Sequence, residues 1–340
     1  MRRKNSNVLR FKDVFTKDKK IKEVYSKLKL VLLRHKKNSP FVIAVSGGPD
    51  SMALAALSHA LMKEKNYKIF FALVDHGIRR NSHKEALQVK KLLKINNIDL
   101  KILRNKKKIV SNIQKNARDI RYDLLIKYCK KNKAQSLLTA HHQDDQIETF
   151  LIRLSRGSGV EGLSSMSETT KLKHGVNLIR PFLEFKKIQL NYISNKVFGK
   201  TFKDPSNKNK NFLRTNIRDL KKILQNKGLN FEKIIRSIKN ISSSKEAINF
   251  YVARSIKKFV KFRKKETILN LKQFRKEPKE IRFRIINNIV KKRTNSYYPP
   301  RSEKVLNLIN NFQTNNLKKC TLGGCIFERK RSFLYVSKEL

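Results

Sequence analysis

Six residues, Ser46, Gly47, Gly48, Pro49, Asp50 and Ser51, lie between the apolar run Phe41 to Val45 and an Ala/Leu-rich stretch that begins at Met52. The first run reads as a buried strand and the second as a helix, so the glycines occupy a strand-to-helix turn. Such a turn aims backbone N–H groups and the positive end of a helix at one point, the geometry that receives a phosphate. A side chain at the glycines would obstruct that approach and disfavour positive φ. Ser46 and Ser51 add hydroxyl donors. A carboxylate beside a phosphate repels it unless a divalent cation bridges the two, so Asp50 is a metal position or a proton-transfer position. The plainer alternative is a helix-capping Gly/Ser turn with an ordinary first-turn acid.

A second cluster follows Ser136 to Ala140: His141, His142, Asp144, Asp145 and Glu148. At helical spacing Asp144 and Asp145 can each share a face with Glu148, and His141 lies four residues before Asp145. Carboxylates there can hold Mg²⁺ against a triphosphate or poise a histidine as a proton carrier; they are also ordinary partners of a helix dipole. Arg118 and Arg121, three apart, and Arg214 and Arg218, four apart, form two guanidinium pairs able to grip phosphate oxygens or to line a solvated basic face.

Positioning these groups requires a scaffold. Strands are expected at 41–45, 69–74, 98–103 and 136–140, separated by helical patterns at 82–96 and 112–131 and preceded by a basic amphipathic helix at 17–36. Strands alternating with helices predict an α/β fold, a parallel sheet with helices on both faces. Ligands of such sheets sit at the carboxyl ends of strands, so the Ser46 turn, the turn from Asp75 to Arg80 and the His141 turn should meet on one rim. Pro181 and the stretch Phe182 to Phe185 are expected to close this region. After the turn cluster Asp204, Pro205, Ser206 and Asn207, the chain reads as helical and basic, ending in a small β-hairpin at 325–336. The expected domains are 1–218, catalytic, and 219–340, smaller, mainly helical and basic.

Eighty Lys and Arg against 26 Asp and Glu give a net charge of +54, a balance that calls for an anionic partner, nucleic acid or an anionic membrane surface. Lysine and asparagine are abundant throughout, so part of the excess is compositional. No run approaches a transmembrane helix and the basic amino terminus lacks a secretory apolar region, so no membrane association beyond the periphery is expected. Cys129, Cys320 and Cys325 make no C-x-x-C pair, which points to a reducing compartment and away from a zinc or thiol-relay site. Two decoys fail on context. Gly199-Lys200-Thr201 follows no strand and lacks the first glycine of a Walker loop, and Gly157-x-Gly159-x-x-Gly162 follows a helical pattern instead of a strand.

The Ser46 turn resembles the SGGxDS loop of the PP-loop, or N-type, ATP pyrophosphatases, whose fold is adenine-nucleotide α-hydrolase-like. Ala117-Arg118-x-x-Arg121-Tyr122, Ala140-His141-His142-x-Asp144-Asp145-Gln146-x-Glu148-Thr149, Arg153-Leu154-x-Arg156-Gly157-Ser158-Gly159, Gly162-Leu163, Arg180-Pro181, the Asp75 turn, and Asp204-Pro205-Ser206-Asn207 with Arg214-x-Asn216-x-Arg218 together resemble the tRNA(Ile)-lysidine synthetases over residues 40–220. The resemblance implies a cytoplasmic ligase that uses ATP and Mg²⁺ to join L-lysine to the wobble cytidine of a tRNA(Ile) with a CAU anticodon, through an adenylated base. It implies ATP binding by Ser46 through Ser51, catalytic roles for Asp50, Arg118, His141, Asp145 and Arg214, and substrate contacts from Arg121, Asp144, Glu148 and Arg218. Mg²⁺ would sit on Asp50, Asp144 and Asp145, and proton transfer falls to His141 or its neighbour His142. Oligomeric state, a homodimer included, is left open. The competing readings are a tRNA thiolase of the same superfamily, which needs cysteines near the site, a metal-dependent phosphohydrolase built on Asp75-His76 and the His141 cluster, and a non-catalytic RNA-binding protein.

Overall fold

The computed structural model describes residues 18–35, 39–79, 81–105, 113–200, 202, 213–295, 300–313 and 318–339. Arg80, Thr201 and the turn cluster Asp204 to Asn207 lie outside the described residues. The chain divides into two compact units, Met1–Ile238 and Lys239–Leu340.

The first unit contains α1 (Lys19–His35), β1 (Phe41–Val45), α2 (Pro49–Lys65), β2 (Ile69–Asp75), α3 (Ser82–Ile95), β3 (Leu100–Arg104), α4 (Ile113–Lys131), β4 (Ser136–Leu138), α5 (Gln143–Leu154), α6 (Val160–Leu163), β5 (Thr169–Lys171), β6 (Asn177–Ile179), α7 (Lys187–Phe198) and α8 (Leu213–Asn226). The sheet runs β3-β2-β1-β4-β6-β5. Every pairing is parallel except β5 with β6. Strand order therefore reverses at β1, which pairs with β2 on one side and β4 on the other, creating a crevice beyond their carboxyl ends.

The period-2 alternation of β1 divides its side chains between the two faces. Phe41, Ile43 and Val45 join the core beneath α1, α2 and α7, whereas Val42 meets Leu125, Ile126 and Cys129 of α4. Helix α2 is buried along its length from Ser51 to Leu61, as expected of a helix apolar on all sides. The Phe182 to Phe185 stretch does not end the αβ region. Helix α7 follows and returns Leu190, Ile193 and Phe198 to the core beside α2, and α8 then packs along α5.

The second unit has the expected helices and terminal hairpin, and adds strands that the sequence did not reveal. The hairpin is present as β10 (Cys325–Lys330) and β11 (Phe333–Lys338), with Phe327 opposite Val336. It belongs to a five-stranded antiparallel sheet of order β7-β8-β11-β10-β9, completed by β7 (Val260–Phe262), β8 (Glu266–Asn270) and β9 (Lys319–Leu322). Those strands escape notice because they are short and rich in Lys, Glu and Thr, whose buried Thr267 interrupts the apolar alternation. Gly323 and Gly324, both at positive φ, form the two-residue turn between β9 and β10, where such backbone favours glycine. Helices α9 (Phe231–Phe259), α10 (Leu271–Arg275), α11 (Lys279–Thr294) and α12 (Ser302–Gln313) complete this part. Val252 and Phe259 of α9, Ile285 and Ile289 of α11, and Leu308 of α12 share its core. The division between units falls within α9, twenty residues beyond the expected position 218, because α8 is packed on α5 of the first unit.

Candidate active site

The Ser46 turn leaves β1 and the His141 turn leaves β4, so the two clusters face each other across the reversal point of the sheet. Gly48 caps α2, Pro49 takes the first helical position and Asp50 stands in the first turn, where a fixed φ and a missing N–H suit proline. Gly47 has φ +86, and a Cβ there would meet Val89 Cγ2 of α3 at 2.7 Å. Both the backbone and the neighbour thus require glycine. Ser51 has a job inside the turn: its hydroxyl donates to the Gly48 carbonyl at 2.9 Å and accepts the Ser46 N–H at 3.0 Å.

On the opposite side, the backbone of His142 forms an isolated parallel bridge with Phe182, and the Gln143 N–H donates to the Phe185 carbonyl. Buried Phe182 and Phe185 therefore fix the start of α5. His142 is buried and surrounded by acids: Nε2 lies 3.5 Å from Asp50 Oδ2 and 3.5 Å from Asp145 Oδ2, and Nδ1 lies 3.8 Å from Asp144 Oδ2. Burial alone would depress its pKa. The Asp50 contact and the charges of Asp145, Asp50 and Asp144 outweigh that, and the net shift is upward, favouring an imidazolium. Asp145 accepts the His142 backbone N–H at 3.1 Å. Desolvation acts to raise its pKa, but His142, His141 and Arg214 overcome it and hold the carboxyl below its ordinary value.

His141 behaves oppositely. Its Nδ1 meets Thr139 Oγ1 at 2.9 Å. Part of its surface reaches solvent, yet desolvation by the surrounding protein pushes its pKa down to about 3, with Arg180, Arg118 and Arg214 adding to the shift against Asp145. The charges of Arg118 on α4 and Arg214 on α8 thus act on the His141 ring. Arg118 also lies over Tyr122, 5.1 Å from the ring centroid. Arg121 is exposed on α4.

Two acids of the expected set are already engaged. Buried Glu148 accepts Arg218 Nε at 2.7 Å and Nη2 at 3.3 Å, with Arg214 Nε at 3.8 Å. Asp144 pairs with Lys221 and accepts the Lys187 N–H at 3.3 Å. Lys221, absent from the sequence reading, has no local signal, because its partner lies 77 residues away. The third turn, at Asp75, forms its own network: Asp75 accepts the Gly77 N–H and touches His83 Nδ1 at 3.2 Å, and His83 meets Arg104. His83 and Arg104 were likewise not anticipated. Arg153, from the resemblance motifs, is structural: it donates to the carbonyls of Gly162 and Ser165, bracing α6.

A parallel sheet with a glycine-rich turn at its strand reversal is a nucleotide-binding α/β arrangement, and residues 16–226 match the PP-loop domain family. The chain is 33% identical over 307 residues to the tRNA(Ile)-lysidine synthase of Wolbachia pipientis wMel, covering 89% of this chain and 71% of that protein. It is 31% identical over 314 residues to the same enzyme of Orientia tsutsugamushi (strain Boryong), covering 89% and 70%. The chain belongs to the tRNA(Ile)-lysidine synthase family. Among solved structures, the U34-tRNA thiolase NcsA of Methanococcus maripaludis with its [4Fe-4S] cluster shares the fold, with a TM-score of 0.55 and 20% identity over 65% of this chain and 78% of that one.

Proposed function

We propose that this protein uses ATP to join lysine to C2 of the wobble cytidine, position 34, of a tRNA(Ile) with a CAU anticodon, releasing AMP and diphosphate. The observation that carries the reading is the meeting of the Ser46 turn with Asp145 and the His141-His142 pair across β1 and β4, in a member of this family. A carbonyl oxygen is a poor leaving group until it carries a phosphate. The C2 oxygen therefore attacks the α-phosphorus of ATP and diphosphate departs; the lysine amine then attacks C2, loses a proton, and AMP leaves. The turn from Ser46 to Ser51 receives the departing diphosphate through backbone N–H groups and the amino end of α2. Arg118 and Arg214 stabilise charge on the transferring group. Arg121 and Arg218 belong to the substrate-facing surface, Arg218 while holding Glu148.

The two histidines divide the work. His142 acts through its neighbours, as a cation that lets Asp50 and Asp145 stand close without repulsion. His141, neutral and with Nδ1 engaged by Thr139, offers Nε2 as the proton acceptor. An arriving triphosphate offsets the arginine charges that add to the effect of burial on its pKa and makes it a better base.

The donor set fits one divalent cation. Asp50 Oδ1 is buried without a hydrogen-bond partner, and Asp145 lies on the same His142 nitrogen. Asp144, paired with Lys221, is excluded from first contact. Among the described residues no group of three or more His, Cys, Asp or Glu is arranged to hold a metal by itself. Mg²⁺ binds through one or two carboxylates together with substrate phosphates, and Asp50 and Asp145 are the carboxylates that would supply them. When bound, Mg²⁺ would neutralise phosphate charge near Asp50.

Thiolation is disfavoured by the cysteines. Cys129 is buried on α4 with burial raising its pKa to about 12, and Cys320 and Cys325 lie in the second unit. A reducing, tRNA-containing cytoplasm is the compartment this chemistry fits, and no helix among the described residues is long and apolar enough to cross a membrane. The test is lysine-dependent AMP formation on unmodified tRNA(Ile) transcript, with incorporation of labelled lysine. Nucleotide-bound protein that forms neither product would overturn the proposal.

A further inference from the structure

Helix α9 turns one side into the core of the second unit, burying Val252 and Phe259 with Ile248 and Ile256 partly covered beside them. The opposite side carries Phe250, 74% exposed, the highest value for a large apolar side chain among the described residues, and the flank beside it carries Tyr251, 46% exposed. Exposed Arg254, Lys257 and Lys258 follow on the next two turns, at spacings that keep them beside the rings. From Ala247 to Lys265 the sequence holds seven Lys or Arg and no acid. This charge suits a polyanion and opposes the like-charged face of a second copy. Aromatic rings next to cations are how proteins hold unpaired nucleotides, with the base stacked on the ring and the phosphate on the cation.

We propose that Phe250 and Tyr251, flanked by Arg254, Lys257 and Lys258, form a stacking platform for unpaired bases of the RNA substrate. The platform deepens the tRNA reading above and rests on it. It gives the second unit a binding role through rings and cations together, beyond diffuse charge.

The chain contains no tryptophan, so Phe250→Trp makes the platform its own reporter. Titration of F250W with unmodified tRNA(Ile) transcript at low salt should quench its emission, saturating near the tRNA KM. Phe250→Ala and Phe250→Leu, both at a site where side-chain loss leaves the core untouched, should raise the tRNA KM about tenfold while kcat and the ATP KM stay within twofold of wild type. Unchanged F250W emission at saturating tRNA, or a wild-type tRNA KM in F250A, overturns the platform. Emission that varies with protein concentration in the absence of RNA assigns the face to a second copy and also overturns it. Quenching by tRNA from a protein whose wild type forms no lysine-dependent AMP would leave the platform standing and refute the ligase reading.

Discussion

Asp50 combines an unpartnered buried oxygen with a contact to His142, so removing its charge should affect chemistry more than architecture. Asp50→Asn is expected to lower AMP formation by about 10²- to 10³-fold with tRNA affinity in filter binding changed less than twofold. Equal loss of both would make the residue structural. His142 yields a prediction with a sign. Its folded pKa is raised above 6.5, so its stabilisation is complete below pH 6.5 and fades as pH climbs through the folded value. The melting temperature of His142→Gln should therefore fall furthest below wild type near pH 6 and converge on it near pH 9. An ion pair broken in a buried site costs about 3 kcal/mol. A gap that widens with pH would refute the imidazolium. His59, buried in α2 and pushed down to about 4 mainly by burial, has the opposite sign. Its neutral form is favoured by folding, so it removes stability as pH drops below 6.5.

At the level of elements, α8 is fastened to α5 by Lys221 on Asp144 and Arg218 on Glu148, and the same helix carries Arg214, which lies by Glu148 and whose charge acts on His141. Lys221 also lies 5.2 Å from the Phe231 ring centroid. Lys221→Met should destabilise the protein by about 1–3 kcal/mol in urea titration and reduce kcat through displacement of Arg214, with the ATP KM less affected. Desolvation favours a neutral Asp144, yet Lys221 and the Lys187 N–H hold its pKa below 3.8. The contribution of the pair is thus present above the unfolded carboxylate pKa and disappears as pH falls below it. Wild type and K221M should differ less at pH 3 than at pH 7, and a constant difference would show that packing, not charge, fastens the helices.

For the whole molecule, a net charge of +54 predicts that RNA binding is dominated by phosphate neutralisation. Counterion release then makes affinity fall steeply with salt, with log Kd rising by roughly 0.7–0.9 per neutralised phosphate for each tenfold increase in salt. Filter binding of tRNA(Ile) between about 50 and 200 mM salt should lose on the order of 10³-fold in affinity. A slope near zero would assign the excess charge to composition.

The sequence by itself determined the parallel sheet, the turn at Ser46 and the acid-histidine cluster at His141, because each depends on short-range pattern: β1 alternates, α2 is uniformly apolar, and glycine has few substitutes at φ +86. It also marked Arg118, Arg214 and Arg218 by spacing, without saying which acids they meet. Tertiary structure decided the partnerships across long separations. Glu148 is neutralised by Arg218 at a distance of 70 residues, Asp144 by Lys221, and the order β2-β1-β4 sets the two turns face to face. It also decided in which direction the pKa of each histidine moves. His141 and His142 are identical in composition and adjacent in sequence; burial, with arginines adding to it, sends the pKa of the first down, and the carboxylates around the second outweigh burial and send its pKa up.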